Sequence, residues 1–166
     1  MAAARSIKEA LELAIKKIKP VVNDALLTDV ADTIKIVERE HIYDDVYTRD
    51  PGRYTRRYDN GGLGDMDNMY EYLEGDGLLG VAQGTPFNPY INGVDDEDGI
   101  SENTSRGMNG LDGLVNYGDG WKDIRYDVKP WGSTGFIEKT VGELKSTKEH
   151  VGSLRNGLIA RGLDVK

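Results

Sequence analysis

The chain has no cysteine, which excludes a disulfide framework, a thiol nucleophile and a cysteine-ligated zinc site. Histidine is almost as scarce, and His41 and His150 stand far apart in the sequence, so histidine-based metal chemistry would need the fold to unite them. No apolar run approaches the roughly 18–20 residues of a membrane span, and no membrane partner is expected. The opening MAAARSIKEALELA interleaves charge with aliphatics and lacks the apolar stretch of a secretory signal. Basic charge is nearly missing from residues 60–120, which hold one basic and twelve acidic residues. Such a field repels nucleic acid.

What is present is 166 residues and 18.3 kDa, one domain's worth of chain with a modest core. Hydrophobic residues make up 38%, charged ones 30%, and the 21 glycines point to long loops. The net charge of −8 is unevenly placed. Residues 1–20 carry five basic and two acidic groups, residues 21–59 six and nine, and residues 121–166 nine and six. An acidic, glycine-rich middle thus separates two basic, periodic ends.

Residues 1–47 read as a helical part. Ile7, Leu11, Ala14, Ile15 and Ile18 recur at three and four, the pattern of an amphipathic helix. Pro20 interrupts or kinks it. Leu27, Val30, Ile34 and Val37 resume the stripe, and Asp50-Pro51-Gly52 is a turn signal. Residues 53–119 have little helical period; Leu78 to Ala82 reads as a strand between glycines, and residues 88–110 as an acidic variable loop. Leu111, Leu114 and Val115 form a short apolar cluster. Ile124 to Val128 alternates as a half-buried strand. From Gly135 the stripe Ile137, Val141, Leu144, Val151, Leu154, Leu158 describes one long helix over 135–161, closed by Gly162. A stripe so narrow needs a neighbouring subunit or the first helix to cover it, which makes Leu144, Val151 and Leu158 expected interface positions.

The motifs that could carry chemistry fail on context. Gly75 to Gly80 fits G-x-G-x-x-G, but Pro86 and Pro89 follow where a helix should open on the pyrophosphate. Asp95-Asp96-Glu97-Asp98-Gly99 resembles a calcium loop, yet alignment on Gly99 puts Val94 at the first ligand position and Ser105 at the last. Glu38 and His41 have the spacing of half a di-iron site, whose other half is missing. With 29 acidic residues, a catalytic carboxylate pair leaves no distinguishing mark. No cofactor or metal is expected, and no catalysis.

Tyrosine and arginine alternate through Tyr43-Asp44-Asp45-Val46-Tyr47 and Tyr54-Thr55-Arg56-Arg57-Tyr58. These residue types dominate interface anchors because they join a large contact area to a polar tip. Tyr47, Tyr54, Arg56 and Arg57 are therefore expected to hold an interface or an internal corner. The flanking Asp44, Asp45, Asp50 and Asp59 argue against a nucleic-acid groove.

The order Val46-Tyr47, Asp50-Pro51, Tyr54, Arg56-Arg57, Gly61-Gly62-Leu63 and Asp67-Asn68-Met69 resembles head–tail joining proteins of phages and prophages of Gram-positive bacteria, in the tail-completion (neck) family of long-tailed phages. Val115 to Gly120, the entry Pro130, Phe136 and Ile137, and the ending Gly157 to Val165 resemble it too. Asn88 to Gly110 falls outside the resemblance, and Trp131 to Phe136 replaces the family's usual Arg-Pro-Phe. The resemblance implies an α+β fold: a small antiparallel sheet flanked by N-terminal helices and one long C-terminal helix, with long glycine-rich loops. It implies a structural protein of the virion neck, assembled in the host cytoplasm. Its expected partners are copies of itself in a six-fold ring, a neighbouring connector or stopper ring, and tail-tube or terminator proteins. Genome DNA would pass through the bore without specific binding, with Asp95, Asp96, Glu97 and Asp98 facing it. The alternatives are a virion-associated or lytic enzyme acting on carbohydrate, and a cellular scaffold or nucleic-acid-binding module.

Overall fold

A computed structural model describes residues 6–49, 58–75, 77–85 and 133–165. Their order is helix, helix, hairpin, helix, helix, a helix-rich α+β fold with a two-stranded antiparallel sheet.

Ser6 caps the start of α1 (Ile7–Ala25): its hydroxyl accepts from the Glu9 amide at 3.2 Å. The helix continues through Pro20, where the sequence alone expects an interruption or a kink. The Lys16 carbonyl that loses its partner lies in an exposed stretch, where water replaces the missing bond. One π-turn, Leu26–Val30, leads into α2 (Ala31–His41), and a second, Ile42–Val46, ends the helical run. Side-chain hydroxyls occupy carbonyls at these irregular turns: Thr28 donates to Asp24 O at 2.8 Å, and Thr48 to Asp44 O at 2.6 Å.

Strands β1 (Met69–Glu74) and β2 (Leu78–Gln83) form the hairpin. The sequence pattern marks β2 but not β1, because Met-Tyr-Glu-Tyr-Leu-Glu has no clean alternation of apolar and polar residues. The turn between them has Gly75 and Gly77 at φ +54° and +103°, values that favour glycine. Alternation places Tyr72, Glu74, Leu78 and Gly80 on one face of the outer hairpin.

The C-terminal segment corrects the expectation of one long helix. It is two helices, α3 (Phe136–Thr147) and α4 (Glu149–Ala160), separated by Lys148 in the left-handed region at φ 62°. Ser146 and Thr147 both turn their hydroxyls back onto the Glu143 carbonyl, at 2.9 and 3.1 Å. Such bonds compete with the helical ladder where it ends. α4 closes as expected at Gly162: the Leu163 amide reaches Leu158 O at 3.0 Å and the Gly162 amide Ile159 O at 2.9 Å, with Gly162 at φ +83°.

The chain divides into two compact units, Met1–Thr33 with Glu71–Gly80 and Lys148–Lys166, and Ile34–Tyr70 with Val81–Thr147. In the first, α4 packs on α1 and the first π-turn, burying Ala25, Val30 and Leu158. In the second, Ile42, Val46, Leu63, Met69 and Phe136 form the core, with Tyr47, Val81 and Ile137 packed against it.

Candidate functional site

Within the second unit, the expected anchor Tyr47 makes an internal corner. Its ring meets Tyr43 edge-on at 4.9 Å and Tyr58 at 4.6 Å between centroids. Its hydroxyl accepts from the Gly64 amide at 2.7 Å and donates to Tyr58 O at 3.2 Å. A β-carbon at Gly64 would lie 2.8 Å from the Tyr43 ring, so the close approach of this loop requires glycine. Tyr58 itself sits at φ 53°, a conformation costly for a tyrosine and held here by Tyr47. Arg39 lies over the Tyr43 ring at 5.4 Å and pairs with Asp59 at 3.3 Å. The second π-turn makes this corner possible by bringing Tyr43 and Tyr47 to the end of the helical run beside the Gly61–Gly64 loop.

His41 is the second polar centre of that unit. Its Nε2 lies 2.8 Å from Glu143 and its Nδ1 3.6 Å from Asp45, while Lys139 pairs with Asp45. The carboxylates occupy opposite ring nitrogens, so they cannot share one ion with the imidazole. Among the described residues no group of three or more His, Cys, Asp or Glu could hold a metal.

In the first unit, Arg161 is the polar centre, and no sequence motif pointed to it. Its guanidinium reaches Asp24 at 2.7 Å, Asp29 at 2.6 Å, the Thr28 hydroxyl at 2.7 Å and Gly157 O at 2.8 Å. Burial works to raise the Asp29 carboxyl, but the hydrogen bonds from Thr28 and Arg161 outweigh it and hold the group below its ordinary 3.8. A carboxylate lowered on folding stabilises the native state above its unfolded value, and that contribution disappears as pH falls through the lower folded value. The melting temperature is therefore expected to fall below about pH 4 more steeply for the wild type than for Asp29→Asn. Equal slopes in pH-dependent calorimetry would show that the pair contributes nothing.

The same node makes Gly157 a packing glycine. A β-carbon there would stand 2.6 Å from Asp29 Oδ2 and 2.7 Å from its Cγ. Arg161 and Thr28 pin that carboxylate, so it cannot swing away. Gly157→Ala is expected to destabilise by about 1–3 kcal/mol through overpacking, although an exposed helical Gly→Ala gains about 1 kcal/mol. Urea denaturation gives the sign.

The remaining expected positions divide as follows. Leu144 is buried in α3 and Leu158 in α4, while Val151 is exposed; with the break at Lys148 they do not share one helix. Tyr54, Arg56, Arg57, Asp95, Asp96, Glu97 and Asp98 lie outside the described residues, as do the residues 88–110, the Leu111 to Val115 cluster and the Ile124 to Val128 strand.

One surface stands apart from these internal nodes. On α1 the stripe Ile7, Leu11, Ile15 and Ile18 is 90, 59, 54 and 42% exposed, whereas Ala25 on the same stripe is fully buried. Every residue from Ser6 to Pro20 is exposed, so the first half of α1 is an uncovered amphipathic arm. No helix among the described residues is long and apolar enough to cross a membrane.

The chain belongs to the YomN family, whose model matches residues 10–160. This is a phage-derived family, with YomN itself from a Bacillus prophage, and the protein is phage-related. No curated protein and no solved structure matches the chain.

Proposed function

We propose that this YomN-family protein is a structural component of the phage neck, a ring that joins the capsid connector to the tail tube and completes the tail. The observation that carries the reading is the bare apolar stripe of α1, a surface suited to assembly on a chain from a phage-derived family. The order of motifs from Val46 to Met69, which resembles head–tail joining proteins, supports the specific place in the virion. In this reading the protein acts without catalysis. Tyr54, Arg56 and Arg57 hold a neighbouring subunit or the adjoining ring, and Asp95 to Asp98 face the bore, where like charge keeps passing DNA from adhering.

Disruption of the gene in its phage or inducible prophage tests the reading directly. Electron microscopy of the lysate is expected to show free filled heads beside free tails, restored to whole particles by the wild-type gene. The double variant Arg56→Ala, Arg57→Ala is expected to give a folded protein and the same unjoined particles, since truncating interface anchors costs about 2 kcal/mol or more each. Intact infectious particles from the disrupted gene overturn the neck assignment.

A further inference from the structure

The first unit carries two uncovered surfaces of opposite character. One is the α1 arm. Its stripe Ile7, Leu11, Ala14, Ile15, Ile18 is a helix face with anchors at four-, four- and three-residue steps, the spacing that fits a groove or a flat apolar face. At 100° per residue, Lys8 and Lys19 flank the stripe on one side together with Glu12, which pairs with Lys8 at 4.0 Å, and Lys17 flanks it on the other. From Ile7 to Pro20 the arm is about 20 Å long.

The other surface is the outer end of the hairpin. Its Tyr72 ring lies flat over Gly80, where a β-carbon would meet Tyr72 Cζ at 2.3 Å. The glycine therefore lets the tyrosine lie along the sheet and widen its apolar face. Tyr72 and Leu78 on that face are 41 and 67% exposed. Glu74 lies on that face, and between residues 71 and 80 there is no basic residue. A six-residue strand is about 20 Å long, comparable to the arm.

We infer that the α1 arm of one copy docks on the hairpin face of the next, with the arm's lysines toward Glu74. Charge complementarity selects this occupant. The arm from Ile7 to Pro20 holds four lysines against two glutamates, and the charged residues of the outer hairpin are all acidic. Two arms or two hairpins thus bring together surfaces of like net charge. Because the two surfaces differ, the contact repeats head-to-tail, and it gives a ring where its rotation closes. The inference rests on the ring reading above and names its joint.

The absence of cysteine makes the test clean. Leu11→Cys and Tyr72→Cys are made singly in the full chain, mixed and oxidised mildly. The expected product is a disulfide-linked dimer from the mixture, in clear excess over either variant alone. The double-cysteine chain is expected to give a ladder of multimers on a non-reducing gel.

A second test uses charge. Leu11→Asp with Ile15→Asp in the arm, and Tyr72→Asp in the hairpin, are each expected to convert the wild-type oligomer to monomer in light scattering, with circular dichroism unchanged. Mixed, the two variants still offer one good arm and one good hairpin, so a heterodimer is expected. Raising salt from 0.05 to about 0.5 M is expected to weaken the wild-type association several-fold.

Each other outcome overturns the joint. A hairpin variant that assembles normally while the arm variant does not indicates arm-to-arm pairing. A hairpin variant that loses melting temperature as a monomer indicates that the chain's own remaining segment covers that face. Wild-type rings that neither variant disturbs, or a wild type monomeric at hundreds of micromolar, also overturn it. The neck assignment is decided separately by the particles in the gene-disruption lysate.

Discussion

Replacing Phe136 with alanine is expected to cost about 3–5 kcal/mol of stability, the largest loss from any single truncation among the described residues. Its side chain is fully buried and stands among Ile42, Val46, Leu63 and Met69. These neighbours come from the second π-turn, from the Gly61–Gly64 loop and from β1, so their backbones are tied into three different local structures and cannot collapse together into the space left. The resulting cavity adds its own cost to the lost transfer free energy. Phe136→Leu keeps most of the volume and is expected to lose less than about 1.5 kcal/mol. Chemical denaturation of the full chain measures both. A loss below 1 kcal/mol for the alanine variant would place the centre of this core elsewhere.

Leu144→Asp is expected to cost about 3–5 kcal/mol, because it removes apolar contacts and leaves a carboxylate desolvated. Leu144 is 8% exposed and follows Phe136 and Thr140 at four-residue steps on the buried face of α3. The informative contrast is with Val141 and Val151, at 44 and 51% exposure. Aspartate at either is expected to change monomer stability by no more than about 0.5 kcal/mol. If one continuous stripe ran from Ile137 to Leu158, all three substitutions would be severe. Comparable losses at Leu144, Val141 and Val151 would therefore restore the single long helix and remove the break at Lys148.

That contrast shows where a linear pattern stops being informative. The C-terminal stripe has helical spacing on both sides of Lys148, so periodicity runs across the break without registering it. The break involves Ser146 and Thr147, whose hydroxyls turn back on one carbonyl; serine and threonine carry this option at many positions where it is not used. The same limit applied at Pro20. A proline in a helical pattern signals a stop, yet the stop is avoided where the orphaned carbonyl stays in water.

The candidate surfaces divide along the same line. Tyr47 was legible as an anchor from its residue type and neighbours, but residue type does not say whether an anchor faces a partner or its own chain. The contacts to Tyr43, Tyr58 and Gly64 place it within its own unit. Arg161 carried no signal, because its partners Asp24, Asp29 and Thr28 lie more than 130 positions away. The hairpin strand Met69–Glu74 carried no period-two signal, since each of its faces mixes glutamate with apolar or aromatic residues.

The sequence by itself determined the local matters: charge segregated into a basic start and an acidic middle, the amphipathic stripe of α1, the strand between glycines at Leu78 to Ala82 and the stop at Gly162. Each is encoded within a few neighbouring residues, over the reach of a helical turn or a tight loop. The tertiary structure alone decided which stripe is covered and which is left bare. The same α1 face is buried at Ala25 and open at Ile7 to Ile18, and nothing in its period distinguishes the two. Burial depends on whether a distant segment arrives to pack, and that segment, α4 in the first unit, reaches only the second half of the helix.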